Sequence, residues 1–207
     1  TNPVVDTAHA VFLFDAATGQ RRRIRSHLFT TATSPAISAD GNWVVLSATP
    51  RLDQEFVIYP TGYEGYLYEV ATRRSWALTP LRDGLDGDVW AISEDGGRML
   101  VSAENPYAPW TRRTWVYDRL SGTKLRIPQG AVDLSPDGST VLVSSWQDFT
   151  GQNPDRGPEL FAFDIATFVF TQLTDRPDGD KRSFDRAEFT DGGQSVLFAT
   201  ASGTALV

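Results

Sequence analysis

The stretch Val132-Asp133-Leu134-Ser135-Pro136-Asp137-Gly138, continued three residues later by Val141-Leu142-Val143, decides the fold. Ser opens a tight turn, Asp accepts local backbone hydrogen bonds, and Gly takes the positive φ that such a turn requires. The apolar residues on either side read as two strands of one hairpin.

Working outward, the same unit returns as Ser38-Ala39-Asp40-Gly41, Ser93-Glu94-Asp95-Gly96 and Thr190-Asp191-Gly192-Gly193. Each turn is followed by an apolar strand: Trp43 to Leu46, Met99 to Val101, Val141 to Val143 and Val196 to Ala199. These are inner, buried strands, in hairpins near residues 34–47, 89–102, 131–144 and 186–199. Between them lies a second recurring unit, an aromatic alternating strand ending in Asp or Glu and followed by a Thr or Ser turn. Its copies end at Asp15, Glu69, Asp118 and Asp164, and they read as outer hairpins. The inner turns advance by 55, 42 and 54 residues (Asp40, Asp95, Asp137, Asp191). A blade of four strands occupies about 40 to 50 residues. Helical repeats of that length need a 3.6-residue apolar period, which the chain lacks.

The Ser-Pro-Asp-Gly turn at 135–138, with Leu160-Phe161-Ala162-Phe163-Asp164 and Gln172-Leu173-Thr174 after it, resembles the TolB-like (WD-like) propeller repeat of bacterial proteins. The resemblance extends over nearly the whole chain. It implies an all-β propeller fold and, since such blades occur in periplasmic scaffold proteins and in non-catalytic domains of peptidases, says little about function. The chain opens with an outer hairpin and closes with an inner one. The expectation is therefore a single domain over residues 1–207, four blades of four antiparallel strands, with the terminal half-blades interlocked so that no sheet edge is left exposed. The competing architecture is part of a larger propeller.

Composition narrows the function classes. The chain has 207 residues, a formal net charge of −7 and no cysteine. The charge opposes nucleic-acid binding, which needs a surplus of Lys and Arg against phosphates. The run Arg21, Arg22, Arg23, Arg25 divides between two faces of a strand and reads as a solvated outer edge guarded by charge. Absence of Cys excludes disulfides, thiolate metal sites and a Cys nucleophile, and is compatible with an oxidising compartment. The longest apolar stretch, Ala10 to Phe14, falls far short of the roughly 20 residues of a membrane-spanning helix, so no transmembrane segment is expected. Thr1 reads as the start of a processed or trimmed chain.

Catalysis lacks its usual parts. No Gly-x-Ser-x-Gly elbow is present, and His9 and His27 stand in no triad context, so both read as solvated or structural. Ser121-Gly122-Thr123-Lys124 falls on a turn and is a chance match. Asp83, Asp86 and Asp88 in one inter-blade loop, and Asp175, Asp178, Asp180 and Asp185 in another, offer alternating carboxylates of the kind Ca²⁺ accepts. Neither follows an EF-hand pattern, and ordinary turn chemistry accounts for them. The expectation is no catalytic residue, no metal site and no cofactor.

The informative signal is aromatic. The segments between inner and outer hairpins carry Tyr59 and Tyr63, then Tyr107 and Trp110 with Arg112, then Trp146 and Phe149. Large aromatic residues and Arg are typical interface anchors, so these seven are the candidate partner-binding residues, converging on one face; alternatively they fold down to cap a small core. The sequence thus points to a non-catalytic protein-binding scaffold. It is expected to be a periplasmic or otherwise extracytoplasmic accessory subunit on an envelope or membrane protein complex. A carbohydrate-binding propeller or the propeller domain of a hydrolase are the alternatives.

Overall fold

A computed structural model describes residues 9–50, 62–79, 86–105, 107–128, 130–176, 184, 186–200 and 203–206. They form seventeen strands and a single 3-10 turn, and they arrange as antiparallel sheets built in chain order. Strand β1 (Phe12–Phe14) pairs with β2 (Arg21–Arg23). Strands β3 (Phe29–Ile37), β4 (Trp43–Pro50), β5 (Glu64–Glu69) and β6 (Ser75–Ala77) form a four-stranded meander. A second has the order β7 (Asp86–Ile92), β8 (Arg98–Asn105), β9 (Ala108–Asp118) and β10 (Lys124–Ile127). A third runs β11 (Ala131–Leu134), β12 (Thr140–Ser145), β13 (Glu159–Asp164) and β14 (Phe170–Gln172). The last sheet has three strands, β15 (Ala187–Thr190), β16 (Ser195–Thr200) and β17 (Gly203–Leu206).

The chain divides into two compact units. The first takes in residues up to Ile37, Gly41–Trp90 and Val101–Arg112; the second takes in Ser38–Asp40, Ala91–Leu100 and Arg113 onward. In the first, Val11, Ile24, Phe29, Val44, Leu46, Tyr66 and Tyr68 form one buried apolar cluster. In the second, Leu142, Leu160, Phe184, Ala187, Val196 and Phe198 form another. Strands β4 and β12 are buried on both faces, which is why they read as unbroken apolar runs rather than alternating ones.

The inner turns are built as their chemistry requires. Ser38, Ser93 and Ser135 are buried, and each donates its hydroxyl to the Asp two residues on, at 2.5, 2.6 and 2.6 Å. Gly41, Gly96 and Gly138 take φ of 70°, 65° and 71°. The outer hairpins are equally uniform. The amides of Asp15, Glu69, Asp118 and Asp164 each donate to the carbonyl five residues on, all at 2.9 Å. The left-handed residue of these turns is Gly19, Arg73, Gly122 or Phe168. A further pair recurs where β5 and β13 begin. The amide of Gly65 donates to Thr79 Oγ1 at 2.8 Å, and that of Leu160 donates to Thr174 Oγ1 at 2.9 Å, each beside a buried Glu, Glu64 or Glu159.

Three expectations need correction. The interlocked closure would have set β1 beside β16, but the partner of β16 opposite β15 is β17, and β1 pairs with β2. Trp110, expected in a loop, lies in the eleven-residue strand β9, because the run Trp110-Thr111-Arg112-Arg113-Thr114-Trp115 is dense in residues that favour a pleated surface. Asp86 and Asp88 likewise sit in β7 rather than in a loop; half-buried and buried positions alternate along Asp86–Ile92.

A candidate polar binding cavity

The first unit contains a cavity of about 350 Å³ lined by Thr33, Ser34, Ser47, Tyr63, Asp86, Gly87, Asp88, Ser102, Glu104 and Arg112. Its walls follow from strand periodicity. Asp86 and Asp88 stand two apart on β7, and Ser102 and Glu104 two apart on β8, so each pair points to one side of its strand. A bulge in β3 between Thr33 and Ala36, with Ser34 at φ 49°, turns Thr33 and Ser34 toward the space.

Tyr63 reaches the cavity through backbone contact: the amide of Gly87 donates to the Tyr63 carbonyl at 2.6 Å. Only glycine fits at 87, since a Cβ there would lie 2.0 Å from Thr79 Oγ1 and 2.5 Å from Thr79 Cβ. Arg112, on β9, donates from Nε to Ser102 Oγ at 3.2 Å, and its guanidinium lies 5.1 Å from the Trp90 ring centre. Cation and ring therefore hold each other in place.

Electrostatically the cavity carries three carboxylates against one guanidinium. Burial, and then the neighbouring charge of Glu104, raise the Asp86 carboxyl above its ordinary value. Asp88 is engaged locally, accepting the Ser47 hydroxyl and the Val89 amide, the latter at 2.9 Å. With the Val89 amide also donating to its oxygen at 3.2 Å, Ser47 is a clamped structural hydroxyl. The arrangement suits recognition of a hydrogen-bonding ligand, with carboxylates as acceptors and Arg112 as donor. Among the described residues no group of three or more His, Cys, Asp or Glu is placed to hold a metal ion.

Of the seven partner-binding candidates, Tyr63 and Arg112 come together at this cavity, beside Asp86 and Asp88 of the acidic cluster noted in the sequence. Tyr107 is 73% exposed, next to the start of β9. In the second unit Trp146 is 47% exposed, whereas Phe149 stacks on Phe170 at 4.1 Å and meets the edge of Phe161 at 5.2 Å. Tyr59 lies outside the described residues, as do Asp83, Asp178, Asp180 and Asp185. His9 and His27 are exposed and line no part of this cavity. Ser47, Ser102 and Glu104 escaped sequence reasoning, because nothing local distinguishes them from other strand positions.

The sheets and their order bear comparison with solved structures. TolB from Acinetobacter baumannii superposes on 96% of this chain with a TM-score of 0.58 at 22% identity. The tricorn protease superposes on 96% of it with a TM-score of 0.61 at 12% identity. The fold is of the β-propeller type. The chain spans 45% of the TolB chain and 23% of the tricorn protease chain. No protein-family model matches the sequence, and no curated protein matches it either. No helix among the described residues is long and apolar enough to cross a membrane.

Proposed function

We propose that the chain is a non-catalytic, protein-binding propeller domain that docks through the surface around Tyr63 and Arg112. The observation that carries this reading is the presence of both residues in the lining of one polar cavity of about 350 Å³, within the roughly 300–1,000 Å³ range of recognition pockets. Tyr and Arg are the residue types most often found as interface anchors. Tyr107, exposed in the same unit, extends the proposed contact set. In its finer form the proposal is an extracytoplasmic accessory subunit on an envelope or membrane protein complex. As to blade number, the strand β17 at the edge of β16 favours a stretch of a larger propeller over an interlocked ring of four.

The test is affinity capture from a membrane and envelope extract, comparing wild type with a Tyr63→Ala/Arg112→Ala variant whose far-UV circular dichroism is unchanged. A defined protein complex recovered by wild type and lost in the variant is the expected result. Equal recovery by both removes the proposed surface. A second reading, a carbohydrate-binding propeller, draws on the same cavity, whose carboxylates and hydroxyls could hydrogen-bond a sugar beside Tyr63; glycan-array binding without any protein partner would favour it. The likeness to the tricorn protease supports a third, the propeller portion of a hydrolase.

A further inference from the structure

Two carboxylates of the cavity stand without a cation. Asp86 on β7 and Glu104 on β8 are both half-buried, and they are close enough for the charge of Glu104 to act on Asp86. The one ion pair among the described residues joins Arg98 to Asp118, neither of which lines the cavity. Asp88 differs, since the Ser47 hydroxyl and the Val89 amide already meet it. Arg112 places Nε on Ser102 Oγ at 3.2 Å and its guanidinium 5.1 Å from the Trp90 ring centre, which leaves its Nη groups as donors. Ser102 is 2% exposed and accepts that bond, so its own hydroxyl hydrogen has no acceptor among the described residues. The space thus combines acceptors that lack a cation with donors that lack an acceptor. Its lining falls between Thr33 and Arg112, on two complete four-stranded sheets that have β1–β2 before them in the chain and β11–β14 after.

We propose that the cavity seats a lysine or arginine side chain of the docking protein, its cationic head between Asp86 and Glu104 and a neighbouring backbone carbonyl on Arg112 and Ser102. The inference rests on the docking surface proposed above and names what that surface grips. Two half-buried like charges disfavour each other, and an opposite charge brought between them favours both. An anionic ligand would meet three carboxylates against one guanidinium. A small free amine would satisfy the carboxylates and leave Arg112 and Ser102 without an acceptor. A peptide segment supplies the cation and the carbonyl together.

The experiment is a nitrogen-15 amide titration of the 207-residue chain with acetylated, amidated Gly-Gly-Lys-Gly-Gly, with its arginine and glutamine counterparts, and with cadaverine. The lysine and arginine peptides should move the Gly87 and Ser102 amide signals saturably, and the glutamine peptide should not. Asp86→Asn/Glu104→Gln should weaken binding of both basic peptides about tenfold or more. The same variant should be no less stable to urea than wild type, since it removes a repulsion rather than a contact. Glu69→Gln, at an outer turn of the same unit, should bind as wild type does. Equal shifts from the glutamine peptide, no shifts from any peptide, unchanged binding by the double variant, or a double variant less stable than wild type would overturn the proposal. Tighter binding of cadaverine than of either basic peptide would overturn the assignment to a protein side chain. The capture experiment above separates this inference from the reading beneath it. A complex lost by Tyr63→Ala/Arg112→Ala but retained by Asp86→Asn/Glu104→Gln keeps the docking surface and removes the cation, whereas a complex retained by both variants removes the docking surface itself.

Discussion

The backbone N–H of Glu94 donates to the carbonyl of Pro136 at 2.7 Å. The carbonyl of Glu94 in turn accepts the N–H of Ala39 at 2.9 Å. Ala39, Glu94 and Pro136 are the second residues of three successive inner turns, so the repeats of the second unit are tied turn to turn through one backbone position. Pro136 has no N–H to donate onward, and the chain of bonds ends there.

Glu94→Pro isolates this tie. The turn 135–138 shows that the position accepts Pro, and Pro is favoured at the second residue of such turns, so only the bond to Pro136 is lost. The variant should lose about 0.5–1.5 kcal/mol, read from the urea midpoint, whereas Glu94→Ala, which keeps the amide, should unfold close to wild type.

At the outer hairpins, Arg73 and Phe168 occupy left-handed backbone at φ 59° and 61°, where the equivalent turns place Gly19 and Gly122. A non-glycine residue there costs about 1–2 kcal/mol, and glycine returns about 0.5–1 kcal/mol of it as unfolded-state entropy. Arg73→Gly should therefore stabilise the protein slightly and Gly122→Val should destabilise it by more than 1 kcal/mol, roughly, in the same denaturation assay.

Gly87→Ala should be poorly tolerated, because its Cβ would press against Thr79. Overpacking of this kind costs about 1–3 kcal/mol, which for a chain of this size lowers Tm by roughly 2–4 °C per kcal/mol. Thermal unfolding measures it, and unchanged Tm would mean that Thr79 can move away.

Asp133 tests the pH dependence. Burial raises its carboxyl above the ordinary value, against the lowering effect of the Phe189 and Leu134 amides, with Glu188 adding to the rise. In the pH window between the unfolded and the folded values the native state holds the proton more tightly, so its stability falls as pH climbs through that window. Asp133→Asn removes the charge and keeps an acceptor for the Phe189 amide, which Asp133 Oδ2 accepts at 2.8 Å. The variant should gain on wild type at neutral pH and lose that advantage near pH 3.5, roughly, where Asp is largely protonated; urea midpoints at the two pH values decide it.

Asp137 runs the other way. The Ser135 hydroxyl and the Ser139 amide hold its carboxyl below the ordinary value, so its contribution is present above the unfolded value and lost as pH falls through the folded one. In a carbon-13 titration the Asp137 carboxyl should move back up in Ser135→Ala.

The strand hairpins were legible because their signals are local. A Ser-x-Asp-Gly turn carries its own hydrogen bonds, and the aromatic and aliphatic runs around Tyr66 and Tyr68 or Phe161 and Phe163 mark the strands that are buried. The recurring Thr79 and Thr174, each fifteen residues after Glu64 or Glu159, were equally available, since the spacing is the same in both copies. Trp110 was misplaced because it falls in the segment between an inner and an outer hairpin, while the strand-forming residues after it carry β9 through that segment.

Residue order alone was enough to read the repeat, its turn chemistry and the buried inner strands, and to single out Tyr63 and Arg112. Strand pairing in three dimensions was needed to show that these two share one space with Asp86, Glu104, Ser47 and Ser102, and that β17 lies at the edge of β16. The reason is range: a turn is specified by residues within a few positions of one another, whereas a cavity wall is set by which strands pair and in what register, and the same alternating pattern is compatible with several such pairings.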